Sequence, residues 1–241
     1  MPNILDSIHA VLFDIGSTLV MGPSVSPNKE VIRRFALTAD TAAKVGRLIM
    51  CTDFQGPADV CAAISGCGIP ITKDDCDFVS RLWSDQETAP VPIAGGLEAV
   101  QFFKNAGKKI GLLSDIWAPY YRGFARVCPQ ISDVAEVKHL SFRVGVKKPE
   151  AAFFESAIQA MQAAPERILM VGDTYSNDIA PGIQQGMKTA WVLSRAEREV
   201  SELIGVIEGR LSRPDVTVAS ILELQSAVTK ELSGVHQDHQ C

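Results

Sequence analysis

The hydrophobic positions of the chain fall into short apolar runs separated by amphipathic segments of helical length. Residues 10–13, 110–113, 168–171 and 190–193 are runs short enough for buried strands, and weaker strand signals lie at 134–137 and 216–218. Apolar residues recur at helical spacing in segments 97–105, 150–162 and 178–185. Strands that alternate with helices are connected by right-handed crossovers. The pattern therefore predicts an α/β fold, a doubly wound, parallel, Rossmann-like sheet with helices on both faces.

Residues 21–90 interrupt this alternation, because they contain no convincing strand. Their predicted helices cover 28–36, 40–51, 58–65 and 74–84, with Asp40 and Asp74 at the starts of the second and fourth. A segment rich in Pro and Gly, residues 88–96, then returns the chain to the alternating pattern. We therefore expect a core formed by residues 1–20 and 93–241 and an all-helical inserted domain formed by residues 21–92.

The composition of the chain limits the classes of partner and the cellular compartment that we expect. The 241 residues are 46% hydrophobic and carry a formal net charge of −5, with no block rich in Lys and Arg. Duplex-binding proteins usually show a basic excess, so we expect no nucleic-acid partner. The apolar runs are far shorter than a membrane span and residues 1–9 do not look like a signal peptide, so we expect no membrane partner and a cytoplasmic protein. The six cysteines form no C-x-x-C pair, which favours reduced thiols over a zinc site.

Polar residues follow the predicted strands at the points where those strands end. In an open parallel sheet, ligands bind outside the carboxyl ends of the strands, so these side chains are expected to meet on one rim. Taken singly, each has an ordinary explanation as a turn, cap or helix-opening residue. The residues expected at the rim are Asp14, Thr18, Ser114, Asp115, Lys148, Asp173 and Asp178.

In order and spacing, these residues resemble the four-part signature of the haloacid dehalogenase-like (HAD) superfamily, over about residues 11–193. The helical insertion also coincides with the position of that family's cap domain. The resemblance implies a Mg²⁺-dependent hydrolase, and most simply a phosphatase that acts on a small phosphorylated metabolite. A carboxylate in line with a phosphoryl group can attack it and form an aspartyl-phosphate that water hydrolyses. A monomer and a homodimer both stay open.

The resemblance also implies a role for each rim residue. Asp14 would be the nucleophile, Lys148 would neutralise phosphate charge, and Ser114 would donate a hydrogen bond to a phosphate oxygen. The expected catalytic residues are Asp14, Thr18, Ser114 and Lys148. The expected phosphate-binding residues are Ser17, Ser114, Asp115 and Lys148. The expected ligands of Mg²⁺ are Asp14, Asp173, Asp178 and the main-chain carbonyl of Gly16.

Gly16 departs from the family's pattern, because phosphatases of this family usually carry there an Asp that protonates the leaving group. General acid–base help is worth about 10²–10⁴-fold in rate. The protein could act on substrates with good leaving groups, or be a weakly active, regulatory phosphate-binding protein. It could also take a substitute acid, for which the candidates are Ser17, Asp115, Asp40, Asp53 and Asp59.

Two other hydrolytic reactions stay open, and both would use the same Asp14. A dehalogenase is one, although that branch works without Mg²⁺ and does not need both Asp173 and Asp178. A phosphonatase-type hydrolase is the other; it needs a lysine from the inserted domain, for which Lys29 and Lys44 are the candidates.

Overall fold

The computed structural model of the chain describes residues 3–23 and 25–230, and its centre is a six-stranded parallel sheet. The strands of the sheet are β1 (Ala10–Phe13), β4 (Lys109–Ser114), β5 (Val137–Leu140), β6 (Ile168–Gly172), β7 (Lys188–Val192) and β8 (Val216–Val218). Their order is β5-β4-β1-β6-β7-β8. A separate antiparallel ribbon pairs β2 (Val20–Met21) with β3 (Val91–Pro92). The end of the predicted core, residues 231–241, lies outside the described residues.

Helices occupy most of the connections between strands. Before and within the insertion they are α1 (Ile4–Ser7), α2 (Pro27–Arg34), α3 (Ala39–Met50), α4 (Pro57–Gly66) and α5 (Lys73–Thr88). After it they are α6 (Gly96–Asn105), α7 (Ala118–Val127), α8 (Pro129–Val134), α9 (Ser141–Val144), α10 (Ala151–Met161), α11 (Ala180–Gln184), α12 (Val200–Ile207) and α13 (Leu224–Thr229). Within the described residues, no helix is long and apolar enough to cross a membrane.

The sheet is buried on both faces, which confirms the predicted doubly wound α/β fold. Successive side chains of a strand point to opposite faces. Val11 and Phe13 accordingly join a core with Phe103 on one face, while Leu12 joins Phe153 of α10 on the other. Complete burial of such a side chain contributes about 1.5–3 kcal/mol. Burial on both faces explains why the strands read as continuous apolar runs.

The weak strand expected at residues 134–137 is misplaced in the prediction. Residues Pro129–Val134 form α8, which has Pro at its first turn, and the strand β5 follows at Val137–Leu140. Proline holds the backbone φ angle near the value that the first turn of a helix requires. The apolar residues that follow Pro129 therefore form a helix and not a strand. Among the described residues, β5 pairs only with β4, so it is an edge strand of the sheet.

In the sequence, the four inserted helices, α2–α5, come between β2 and β3, the two strands of the ribbon. Each begins and ends within a few residues of a predicted helix, and the helices predicted to start at Asp40 and Asp74 begin one residue earlier. Thr38 and Thr72 are the N-cap residues, and the Thr72 hydroxyl accepts a hydrogen bond from the backbone N–H of Asp75. Threonine caps helices well, and acidic residues stabilise the first turn instead. The division into a core and an inserted domain remains a proposal.

Strand β1 occupies the point where the winding of the sheet changes direction. The chain runs from β1 to β4 and β5 on one side, and then crosses to β6 on the other side. Ligands of such sheets bind in the crevice outside the carboxyl ends at this switch point. A ligand site is therefore expected at the residues that follow β1, β4 and β6.

Candidate active site

Asp14 follows β1 and is held by two side chains from other parts of the chain. Its backbone N–H donates to the carbonyl of Val171 at 2.9 Å, which continues the pairing of β1 with β6. Its Oδ1 accepts hydrogen bonds from Ser114 Oγ at 3.0 Å and from Lys148 Nζ at 2.7 Å. Oδ2 has no hydrogen-bond partner among the described residues. The side chain is therefore oriented through one oxygen while the other stays available.

Lys148 is the central cation of the site. Its Nζ lies 2.7 Å from Asp14 Oδ1 and 2.5 Å from Asp178 Oδ1, and its side chain is only 2% exposed. Burial acts to lower the pKa of Lys148, but the carboxylates of Asp14, Asp178 and Asp115 outweigh it and raise the pKa. The backbone N–H of Lys148 donates to Asp115 Oδ1 at 2.8 Å, so Asp115 anchors the lysine's loop.

Asp14, Asp173 and Asp178 form a buried cluster in which one oxygen of each lies within 4.8 Å of the others. Burial raises the pKa of Asp173 to about 6 and that of Asp178 to about 7, because a charged carboxylate is poorly solvated there. Three carboxylates converge while Lys148 neutralises only part of their charge. Hard oxygen ligands at this spacing suit a small divalent cation, so the residues fit the Mg²⁺ that the sequence implies.

The chain following β6 brings both Asp173 and Asp178 to the cluster. Residues Tyr175–Ile179 form a π-helical turn, a geometry that is frequent at functional sites, and it turns Asp178 back toward β6. There Asp178 Oδ2 accepts a hydrogen bond from the backbone N–H of Thr174 at 3.0 Å. The carbonyl of Asp173 accepts one from the Trp191 indole at 3.0 Å. The two acids are thus positioned by the neighbouring strand as well as by their own.

Arg195, which follows β7, is a member of the site that sequence reasoning missed. Its Nε donates to Asp173 Oδ2 at 2.8 Å, and its Nη2 donates to the same oxygen at 2.5 Å. The preceding residue, Ser194, donates from its hydroxyl to the carbonyl of Ser17, which ties this loop to the one that follows β1. No motif marks Arg195; only its position after a predicted strand could have identified it.

A cavity of about 420 Å³ opens over the cluster and extends to the inserted helices. From that side it is lined by Asn28, Met50 and Gln86, and from the sheet side by Tyr120 and Arg198, among others. The amide oxygen of Asn28 is buried and has no hydrogen-bond partner among the described residues. Gln86 accepts a hydrogen bond from Trp117 Nε1 at 3.2 Å. The cavity is large enough for a small metabolite.

The structure brings most of the predicted site residues to this cavity. It is lined by Asp14, Gly16, Ser17, Ser114, Asp115, Lys148, Asp173 and Asp178. Thr18 is the exception, because it is completely buried and does not line the cavity, so its position does not support direct catalysis. Among the substitute acids that the sequence suggested, Asp115 lines the cavity, whereas Asp40, Asp53 and Asp59 do not. Lys29 and Lys44 do not line it either.

A family model described as HAD-hydrolase-like matches residues 146–224. Among curated proteins, the pyrimidine 5'-nucleotidase YjjG of Escherichia coli is 37% identical over 101 residues, which are 42% of this chain and 41% of that protein. The 5'-nucleotidase YutF of Bacillus subtilis is 29% identical over 137 residues, which are 57% of this chain and 52% of that protein. The chain thus spans about half, or less, of the length of these relatives.

Solved structures match over nearly their whole length. An HAD phosphatase from Thermococcus onnurineus has a TM-score of 0.57 at 18% identity, and an L-2-haloacid dehalogenase from Xanthobacter autotrophicus has 0.56 at 15%. Both matches cover 91% of this chain and 97% of the other. An HAD family enzyme from Bacteroides thetaiotaomicron, in complex with magnesium and inorganic phosphate, has 0.55 at 16% identity and covers 78% of this chain and 96% of the other. These likenesses establish the fold.

An α/β protein with a carboxylate cluster and a buried lysine at the switch point of its sheet defines a recognisable class of hydrolase folds. The family-model match over residues 146–224 and these relatives show that the chain is similar to proteins of the haloacid dehalogenase-like superfamily.

Proposed function

We propose that this protein is a Mg²⁺-dependent phosphatase that acts on a small phosphorylated metabolite through an aspartyl-phosphate at Asp14. The observation that carries the proposal is the asymmetry of the Asp14 carboxylate. Ser114 and Lys148 hold Oδ1, while Oδ2 has no partner among the described residues and Asp14 lines the cavity. The two curated relatives described above, which are both 5'-nucleotidases, add support, since such enzymes remove phosphate from monoesters.

The chain's own residues have defined roles in the two chemical steps of the proposed reaction. Asp14 attacks phosphorus, so that a bond forms between its carboxylate oxygen and phosphorus while the bond to the leaving oxygen breaks. The departing oxygen leaves as an anion and takes up a proton from solvent where its basicity requires one. Water attacks the aspartyl-phosphate, releases inorganic phosphate and restores the carboxylate. Lys148 offsets negative charge at the phosphoryl group and holds the nucleophile in place.

Asp14, Asp173, Asp178 and the carbonyl of Gly16 are the proposed ligands of Mg²⁺. When bound, this cation would stabilise the charge of the phosphoryl oxygens. The buried cluster of acids in this chain and the magnesium complex of the Bacteroides thetaiotaomicron neighbour support the assignment. Thr174 and Trp191 contribute by positioning Asp178 and Asp173.

Position 16, where HAD phosphatases usually carry the acid that protonates the leaving group, is a glycine in this protein. A Cβ atom at Gly16 would meet nothing within 4 Å, so the space of the missing side chain is open to the cavity. Asp115, one suggested substitute, already accepts a hydrogen bond from the backbone of Lys148. We therefore propose that the preferred substrates have leaving groups that need little protonation, such as acyl or aryl phosphates.

A phosphate-release screen with acyl, aryl and alkyl phosphates tests the proposal. The wild-type protein and Asp14→Asn are compared in Mg²⁺ and in EDTA. We expect release that needs both Asp14 and Mg²⁺ and that is fastest with acyl and aryl phosphates. Equal release by Asp14→Asn would overturn the covalent mechanism.

Two further measurements, of halide release and of Mg²⁺ affinity, could replace the proposal with an alternative. Release of halide from 2-haloacids in EDTA would favour a dehalogenase, which the likeness to the Xanthobacter autotrophicus enzyme keeps in view. Measurable Mg²⁺ affinity without hydrolysis of any phosphate would favour a regulatory binding protein. The cytoplasmic location and the choice between monomer and homodimer remain predictions.

A further inference from the structure

Arg195 binds the same carboxylate that is proposed to hold the metal ion. Both contacts, from Nε at 2.8 Å and from Nη2 at 2.5 Å, end on Asp173 Oδ2. The other oxygen, Oδ1, accepts only a long hydrogen bond of 3.3 Å from the Thr174 hydroxyl among the described residues. A cation that approached the cluster through Oδ2 would therefore meet a guanidinium already in place.

We propose that Arg195 and the divalent cation are alternative partners of Asp173, so that binding of the metal ion releases the guanidinium into the cavity. The proposal rests on the Mg²⁺ site of the proposed function and adds to it a residue outside the family's signature. Arg195 would then be a positioning residue with two states: one holds Asp173, and the other faces the substrate.

Charge favours an exchange over simultaneous binding. Among the described residues, three carboxylates of the cluster meet two side-chain cations, Lys148 and Arg195. A divalent cation that joined both would turn a site with a net negative charge into one with a net positive charge. Like charges that share a buried carboxylate repel each other strongly, because the surroundings screen them little. Lys148 is almost completely buried and cannot easily move away, whereas Arg195 can.

The surroundings of Arg195 allow the side chain to move without the backbone. Its side chain is 26% exposed and lines the cavity, so it has space on one side. The loop itself is anchored by the hydrogen bond from Ser194 to the Ser17 carbonyl. A guanidinium released there would lie beside the phosphoryl position, where its planar set of donors suits phosphate oxygens.

Calorimetric titration of the metal-free protein with MgCl₂ tests the exchange without using activity. We expect Arg195→Gln to bind Mg²⁺ about tenfold more tightly than the wild type, within the 5- to 150-fold range typical of coupled sites. Arg198→Gln is the matched control, because Arg198 lines the same cavity but makes no contact with Asp173. We expect that variant to change the affinity by less than about twofold, since exposed charges are well screened.

The Nε–H resonance of Arg195, assigned by its loss in Arg195→Gln, provides a second measurement by NMR. Saturation with Mg²⁺ is expected to shift it away from its hydrogen-bonded position. Equal gains in affinity for Arg195→Gln and Arg198→Gln would show a general effect of charge and overturn the exchange. Unchanged or weaker binding in Arg195→Gln, or an unmoved resonance at saturation, would also overturn it. Absence of Mg²⁺ binding in the wild type and in both variants would remove the proposed metal site as well, which separates the two failures.

Discussion

Gly172 and Asp178 pack so closely that position 172 has no room for a side chain. A Cβ atom built on Gly172 would overlap with the carboxyl group of Asp178, well inside the distance that real Cβ atoms keep. The π-helical turn returns Asp178 to this place, where it meets Lys148. The glycine is therefore part of what positions the acid.

Gly172→Ala is expected to displace Asp178 and to weaken the site. A displacement of about 1 Å in such a site can lower the rate about 10²-fold. We expect losses of this order in phosphate release, together with weaker Mg²⁺ binding measured by calorimetry. Gly66→Ala is the control, because a Cβ there meets nothing within 4 Å. Unchanged Mg²⁺ affinity in Gly172→Ala would show that the contact does not position Asp178.

Gly16→Asp is expected to restore protonation of the leaving group. The open space around Gly16 can accommodate the side chain. Turnover of alkyl phosphates should rise by about 10²-fold, the low end of general acid–base effects, and turnover of aryl phosphates by much less. Steady-state kinetics on matched substrate pairs measure the difference. Gly16→Asn, which has the same shape but no acidic proton, should leave both rates low; a similar gain in that variant would rule out proton transfer as the cause.

Lys148→Met is expected to lower the stability of the metal-free protein by about 3–5 kcal/mol. Removal of one partner leaves Asp14 and Asp178 buried without their cation, which is the costly way to break a buried ion pair. Urea unfolding in EDTA measures the free energy of unfolding. Lys104→Met is the control, because Lys104 and Glu136 form an exposed pair whose loss should cost less than about 1 kcal/mol. Similar losses in the two variants would contradict the role given to Lys148.

His139 is expected to make the free energy of unfolding fall as the pH drops below about 6.5, the ordinary pKa of histidine. Burial lowers the pKa of His139, although a backbone hydrogen bond involving Phe153 partly opposes this shift. The unfolded chain therefore binds a proton near the ordinary histidine pKa of about 6.5, while the folded chain does so only at lower pH. The contribution to stability is present above pH 6.5 and is lost as the pH falls toward the folded pKa.

Urea unfolding of the wild type and of His139→Gln at pH 7.5 and 5.5 measures this effect. The wild type should lose more stability than the variant on acidification, by at most about 1.4 kcal/mol per pH unit for one proton. The exposed His9, changed to Gln, serves as the control. An equal loss in wild type and His139→Gln would assign the pH dependence to other groups.

Much of the fold could be predicted from the sequence, because its signals are local. A strand buried on both faces must be a continuous apolar run, as Ala10–Phe13 is. The four inserted helices must carry their own breaks at Pro and Gly. The prediction misplaced the edge strand β5 because its local signal is weak. An edge strand needs fewer apolar residues, and the signal of β5 merges with that of the preceding helix.

The meeting of Asp14, Ser114, Lys148, Asp173 and Asp178 could also be predicted, because parallel strands end on one side of a sheet. The contacts that determine how these residues behave could not. Three features depend on loop paths and on side-chain packing between distant segments. They are the contact of Arg195 with Asp173, the close approach of Asp178 to Gly172, and the position of Thr18 outside the cavity lining. Apart from Arg195, the sequence by itself determined which chemical groups meet at the rim, since strand direction places most of them there. Only the tertiary structure decided which oxygen of each acid is occupied and which is open, since that choice depends on ångström-scale distances between segments far apart in the chain.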